Sequence, residues 1–193
     1  IMENKTLILG DNMKKESIQV ARSRNWIVNA LLHLMKEKTF YNISIKEICE
    51  KAGVSRLTYY RNFKNKEDIV TYYFDSEFDK IINIIKKIES LSYSQFIELS
   101  FKNFQDNIEL NKLFFRDNLV YLILIASNRY IKIILDSFFN EVIYNHLELK
   151  FIEGGILNIM IDLMVTDQEY TSKEIADKIK VFIEALSSDV KSI

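Results

Sequence analysis

Residues 52–63 read AGVSRLTYYRNF, and how this stretch is divided decides the fold. Gly53 suits the end of a helix, because the left-handed conformation that closes a last turn carries no Cβ penalty for glycine. Ser55, two residues on, can cap a new helix by accepting a hydrogen bond from its first turn. Just upstream lies ISIKEICEKA, residues 43–52, where Ser44 is followed three positions later by Glu47. That spacing is a capping box, in which hydroxyl and carboxylate each satisfy an orphan backbone donor. Ile45, Ile48 and Cys49 then form the apolar stripe of a two-turn helix, and the helix after Ser55 runs to about Asn62. Two short helices joined by a glycine turn make a helix-turn-helix.

Outward from this pair the helical pattern continues. Residues 17–37 repeat apolar side chains at helical spacing, with Ile18, Ala21, Trp26, Ala30 and Leu34 on the expected inner stripe and Ser17 as cap. Residues 65–89 predict a longer helix, with Asn65 as cap and Glu67 and Asp68 at the positive end of its dipole. At about 1.5 Å per residue it is roughly 36 Å long, enough to link two regions. Further helices are expected over 92–107, 109–117, 118–126, 128–147, 150–165 and 172–189. No segment alternates like a strand. Proline is absent and glycine occurs four times in 193 residues, too few special turn residues for a sandwich or barrel. The expected fold class is all-α: a three-helix DNA-binding domain with a helix-turn-helix, plus a C-terminal helical ligand-binding and dimerisation domain. Residues 1–13, which begin Ile1-Met2, are set aside as a tail outside the fold.

The formal net charge of −1 conceals an asymmetry. Residues 14–66 hold twelve basic and four acidic side chains, and residues 67–193 hold thirteen basic and twenty-one acidic ones. A basic amino end of this kind suits a polyanion. Cys49 is the only cysteine, so neither an intrachain disulfide nor a cysteine zinc cluster can form, and it reads as a small core residue in a reducing cytoplasm. No apolar run approaches the ~20 residues of a membrane span. A glycine-rich phosphate loop, G-x-S-x-G and a histidine pair at metal spacing are all lacking, so no catalytic residue, metal or cofactor is expected.

On the helix after Ser55 the leading side chains are Arg56, Leu57 and Thr58. A major groove admits one helix, whose first residues reach base edges. Arg56 can donate twice to guanine, and Thr58 can offer its hydroxyl to a base or its methyl to thymine. Tyr60, Arg61 and Asn62 fall near the groove wall, where phosphate oxygens accept. Lys64 and Lys66 flank the start of the next helix, whose free N–H groups also favour an anion. Tyr59 and Phe63 are the inward pegs.

With those residues in place, TFYNISIKEICEKAGVSRLTYYRNFKNKEDIV, residues 39–70, resembles the DNA-binding module of TetR-family transcriptional regulators. The likeness spans roughly residues 17–72. It implies a DNA-binding domain over 14–64 and an effector-binding and dimerisation domain over 65–193. By position it makes Ser44 and Ser55 phosphate-contacting caps, turns Arg56, Leu57 and Thr58 toward bases, and turns Tyr60, Arg61, Asn62 and Lys66 toward phosphates. Leu57 departs from the family, where glycine or another small residue is common, so the bases read there are expected to differ. The last two helices are similar to those that pair with their symmetry mates in many members. The expected dimer seam comprises Gly154, Gly155, Ile159, Leu163, Ile175, Ile179, Phe182 and Leu186.

The resemblance also implies an effector pocket, for which Phe101, Asn103, Phe104, Arg116, Tyr121, His146 and Asn158 are candidates. The expected activity is that of a cytoplasmic repressor, dimeric on near-palindromic double-stranded DNA and released by a small effector. The alternative is a TetR-like coactivator or interaction protein governed by a protein partner, for which the acidic C-terminal half would suit a basic surface.

Overall fold

The computed structural model describes residues 18–138, 146–166 and 169–190. The tail at 1–13, the Ser17 cap, and residues 139–145 at the end of the helix expected over 128–147 lie outside them. Among the described residues the regular elements are helical throughout: α1 Ile18–Glu37, a 3-10 turn Phe40–Asn42, α2 Ile45–Ala52, α3 Arg56–Asn62, α4 Lys66–Ile85, α5 Tyr93–Asp106, α6 Ile108–Arg116, α7 Val120–Phe138, α8 His146–Val165 and α9 Ser172–Val190. The chain divides into two compact units, Ile1–Ile69 and Val70–Ile193, with the division inside α4.

The first unit is built on α1. Its inner stripe is Ile27, Leu31, Leu34 and Met35, all buried, with Val28 and Ala30 beside them. Trp26 was expected on that stripe but is 50% exposed. One residue is a 100° step around a helix, and the stripe centres on Ile27 and Leu31 rather than on Trp26. Against α1 pack α2, with buried Ile48 and Cys49, and α3, with buried Tyr59, and Phe40 of the 3-10 turn and Ile43 just after it are buried too. Burial pushes the Cys49 thiol up from its ordinary pKa, as the core reading of that residue requires.

The helix-turn-helix forms as its residues dictate. Ser44 Oγ accepts from Glu47 N, and Glu47 Oε2 accepts from Ser44 N at 2.9 Å, which completes the capping box. Gly53 adopts φ 65°, ψ 32°. Its N–H donates to Glu50 O at 3.3 Å and the Val54 N–H to Cys49 O at 3.0 Å, the paired bonds that close a helix through a left-handed residue. Ser55 then caps α3 by accepting from Thr58 N at 3.1 Å.

The second unit has its own core. Ile82, Ile85, Phe96, Ile97, Phe101, Ile134, Ile152, Ile175, Ala176 and Ile179 form one buried cluster, with α5 and α9 its principal pair. The break expected between residues 126 and 128 is absent, because α7 runs through it. Ser127 turns its hydroxyl back onto Leu124 O at 3.0 Å and stays helical. Likewise α4 ends at Ile85, short of the expected residue 89.

Candidate nucleic-acid interface

α3 is seven residues long and divides cleanly by face. Tyr59 is fully buried and Phe63, its C-terminal cap, is 4% exposed. Their rings lie 6.3 Å apart, and Tyr60 sits edge-on to Tyr59 at 5.3 Å. Arg56, Leu57, Tyr60 and Arg61 are exposed, Leu57 at 62% and Tyr60 at 56%. The holding residues and the outward residues therefore never coincide. Thr58 is half-buried, and its hydroxyl lies 3.0 Å from Ser55 Oγ. Asn62 donates from Nδ2 to Thr58 O at 2.8 Å, so its amide N–H groups are partly used within the helix.

The amino end of α2 is fixed from several sides. Besides closing the capping box, Glu47 accepts from Ser44 Oγ at 2.7 Å and from the Lys38 ammonium. The Lys38 hydrogen bond, with those from Ser44, holds the Glu47 carboxyl well below its ordinary 4.5, at about 2. Ser44 remains exposed.

At the start of α4 the sequence expectation needs adjustment. Lys64 N donates to Asp68 Oδ2 at 2.8 Å and Asn65 N at 3.4 Å, while Asp68 N donates to Asn65 Oδ1 at 2.7 Å. Asp68 thus closes a reciprocal cap with Asn65, and of the first-turn N–H groups of α4 the one on Asp68 is taken by the Asn65 side chain. The Asn65-x-x-Asp68 spacing carried this signal, since it is the capping-box arrangement with amide and carboxylate in place of hydroxyl and glutamate. Lys64 is exposed, whereas Lys66 turns inward onto backbone carbonyls of the 3-10 turn. Burial lowers the Lys66 pKa. Nothing in the sequence spacing pointed to that contact, because its partners lie more than twenty residues upstream.

The seven candidate effector residues differ in burial. Phe101 and Phe104 are buried; Asn103 accepts on its backbone carbonyl from Asn107 Nδ2 at 2.8 Å. Arg116 forms a two-bond pair with buried Asp117, at 2.9 Å for each bond, while Tyr121, His146 and Asn158 are exposed. An open cleft of about 410 Å³ lies on the first unit, lined by Trp26, Asn29, Ala30, His33, Lys51, Ala52 and Gly53.

The expected dimer residues fall on opposite faces. Ile175 and Ile179 are buried in the chain's own core, and Ile159 and Leu163 pack partly against it. Ile175 and Ile179, at the start of the α9 stripe, are therefore core residues of the chain itself rather than seam residues. Gly154, Gly155 and Phe182 are exposed, and a Cβ built on either glycine meets nothing within 4 Å. The Leu186 side chain lies outside the described residues. Phe182 stacks on Phe151, itself 62% exposed, with centroids 6.2 Å apart.

Residues 27–73 match the family of bacterial regulatory proteins named for tetR. The chain carries a TetR-family helix-turn-helix. Over 72 residues it is 32% identical to the HTH-type dhaKLM operon transcriptional activator DhaS of Lactococcus lactis subsp. lactis strain IL1403, a match covering 37% of this chain and 36% of that protein. Over 73 residues it is 32% identical to YvkB of Bacillus subtilis strain 168, an uncharacterized HTH-type transcriptional regulator, covering 38% and 39%. These matches span little more than a third of either relative. Two solved structures share the fold: Lin0861 from Listeria innocua, with TM-score 0.76, 20% identity and 89% and 94% of the two chains covered, and the dihydroxyacetone kinase operon activator DhaS, with TM-score 0.57, 19% identity and 85% and 95% covered. The TetR family and these relatives are regulators, not enzymes. Among the described residues no helix is long and apolar enough to cross a membrane.

Proposed function

We propose that the chain is a cytoplasmic transcriptional regulator that places α3 in the major groove and binds a near-palindromic operator as a dimer. The observation that carries this reading is the division of α3. Arg56 and Leu57 stand free on its first turn while Tyr59 and Phe63 anchor it from below. Arg56 and Thr58 face bases; Tyr60, Arg61, Asn62 and Lys64 face phosphates, with Ser44 and Ser55 at the helix ends that flank the groove.

A second copy covers the exposed face of α8 and α9. Phe151, Gly154, Gly155, Asn158, Asp162 and Val165 follow one another at helical spacing and are all exposed, as are Val181 and Phe182 on α9. Phe151, Val165, Val181 and Phe182 are large apolar groups left exposed on these two helices, which suits a partner surface. Two-fold pairing then spaces the half-sites about one helical turn apart, or a multiple of it.

Release by a small effector, and hence repression, is the expected mode of control. Activation is the second reading, favoured by the name of the L. lactis relative. Duplex selection from a random-sequence pool, followed by a reporter carrying the selected site, tests both levels. A folded chain that retains no duplex at low salt refutes the DNA-binding reading, and the direction of the reporter's response decides between repression and activation.

A further inference from the structure

Lys66 is the first residue of α4, yet its ammonium serves the segment that precedes α2. Nζ donates to Ile43 O at 2.7 Å and Phe40 O at 2.8 Å, with Tyr41 O at 3.5 Å. It also stands 4.6 Å from the centroid of the Phe40 ring. An ammonium has three protons, and here the three acceptors are carbonyls of one short backbone segment, residues 40, 41 and 43. Phe40 and Ile43 are themselves buried, at 0% and 2% exposure, so the cage is anchored in the core and does not move freely with the lysine. The residue immediately after Ile43 is Ser44, the cap of α2. From its other side Ser44 is held by Glu47, which Lys38 holds in turn. The placing of the α2 amino end thus depends on a side chain from the first turn of α4.

We propose that Lys66 is a positioning residue for DNA binding: it ties the first turn of α4 to the phosphate-facing end of α2 through the 40–43 carbonyls, and acts through Ser44 without touching phosphate. This rests on the DNA-binding reading above and departs from it in one respect, since a lysine at this position was expected to meet the DNA. Its donors converge on carbonyls arranged around a point. A lysine ammonium satisfies that arrangement and the planar fork of arginine does not. A displacement of the α4 first turn is therefore passed to the α2 end by the same bonds, a short mechanical link between two helix starts that both face the duplex.

The test measures affinity and its salt dependence by anisotropy on a labelled duplex selected by the wild-type chain, with folding checked by circular dichroism. Lys66→Met and Lys66→Arg are both expected to weaken binding about tenfold, within the coupling range of residues in one hydrogen-bond network. The salt slope of Lys66→Met stays at the wild-type value, and adding Lys66→Met to Ser44→Ala brings no further loss. A slope reduced by about one marks a direct phosphate contact and overturns the proposal. Full affinity in Lys66→Arg overturns it as well, as do losses that multiply in the double variant. Should Lys66→Met prove too unstable to measure, Lys66→Arg carries the decision alone. A wild-type chain that binds no duplex removes the DNA-binding reading and this proposal with it, a result distinct from any of the others.

Discussion

The Lys38 ammonium donates to the carboxylate of Glu47, and that carboxylate also closes the capping box on Ser44. One acid side chain therefore joins the end of α1 to the beginning of α2. Its pKa is depressed, from an ordinary 4.5 to about 2, first by the Lys38 bond and then by Ser44. For a carboxyl whose folded pKa lies below the unfolded one, the stabilisation is complete above the unfolded value and is lost as pH falls toward the folded value. Glu47→Gln should therefore flatten the acid dependence of the thermal midpoint between about pH 5 and about pH 2. Equal acid sensitivity in wild type and variant, followed by circular dichroism, would remove Glu47 from this role.

Arg56→Ala should relax base preference and weaken binding to the selected site by about 1–3 kcal/mol if the side chain meets guanine through two bonds. Uniform weakening on every sequence would place Arg56 on phosphate instead. Competition between the selected duplex and single-base variants separates the two results.

Gly155→Leu should leave the folded protomer intact, because a Cβ there meets nothing within 4 Å. The same change should weaken self-association if the exposed α8 face packs against a second copy. Sedimentation equilibrium reads this directly, and a variant as dimeric as wild type argues against that face.

Ile179→Ala and Phe182→Ser should part company, although both positions belong to one helix. Ile179 is 8% exposed within the α5–α9 core, so its truncation should destabilise the protomer by about 2–5 kcal/mol in urea unfolding. Phe182 is 53% exposed, so its loss should act on association and leave the isolated protomer's urea midpoint nearly unchanged. Similar protomer stabilities in the two variants would contradict this division of α9.

Tyr59 is fully buried, and its hydroxyl has no hydrogen-bond partner among the described residues. Burial pushes that phenol's pKa up strongly. Tyr59→Phe should therefore be neutral or stabilise the first unit by up to about 1 kcal/mol, since it removes an unsatisfied polar group at nearly constant volume. A clear loss of thermal stability would show that the hydroxyl is bonded.

The helix-turn-helix was legible because its signals are local. Ser44 with Glu47, Gly53, and Ser55 each settle the backbone within four residues of themselves, and the structure realises all three. Local periodicity also marked Tyr59 and Phe63 as inward residues. It failed for Trp26, which sits one position off the true stripe, and for Ser127, whose back-bond lets α7 continue where a break was expected. Lys66 was unreadable for another reason: the carbonyls it holds come from a turn distant in sequence, while its place at a helix start and the family resemblance suggested an outward phosphate contact. The α9 stripe reads from the sequence as part of a dimer seam. Ile175 and Ile179 satisfy an intrachain core or a partner helix by the same spacing, and only the position of α5 decides between them.

The shortness of α3 has a consequence of its own. A seven-residue peptide would not hold a helix in water, so its geometry is imposed by Ser55 at one end and by Tyr59 and Phe63 underneath. The side chains at 56, 57, 60 and 61 are consequently free to change without endangering the scaffold. Descendants of such a sequence can drift toward new genomic targets by altering those four letters alone, while the architecture that presents them is inherited intact.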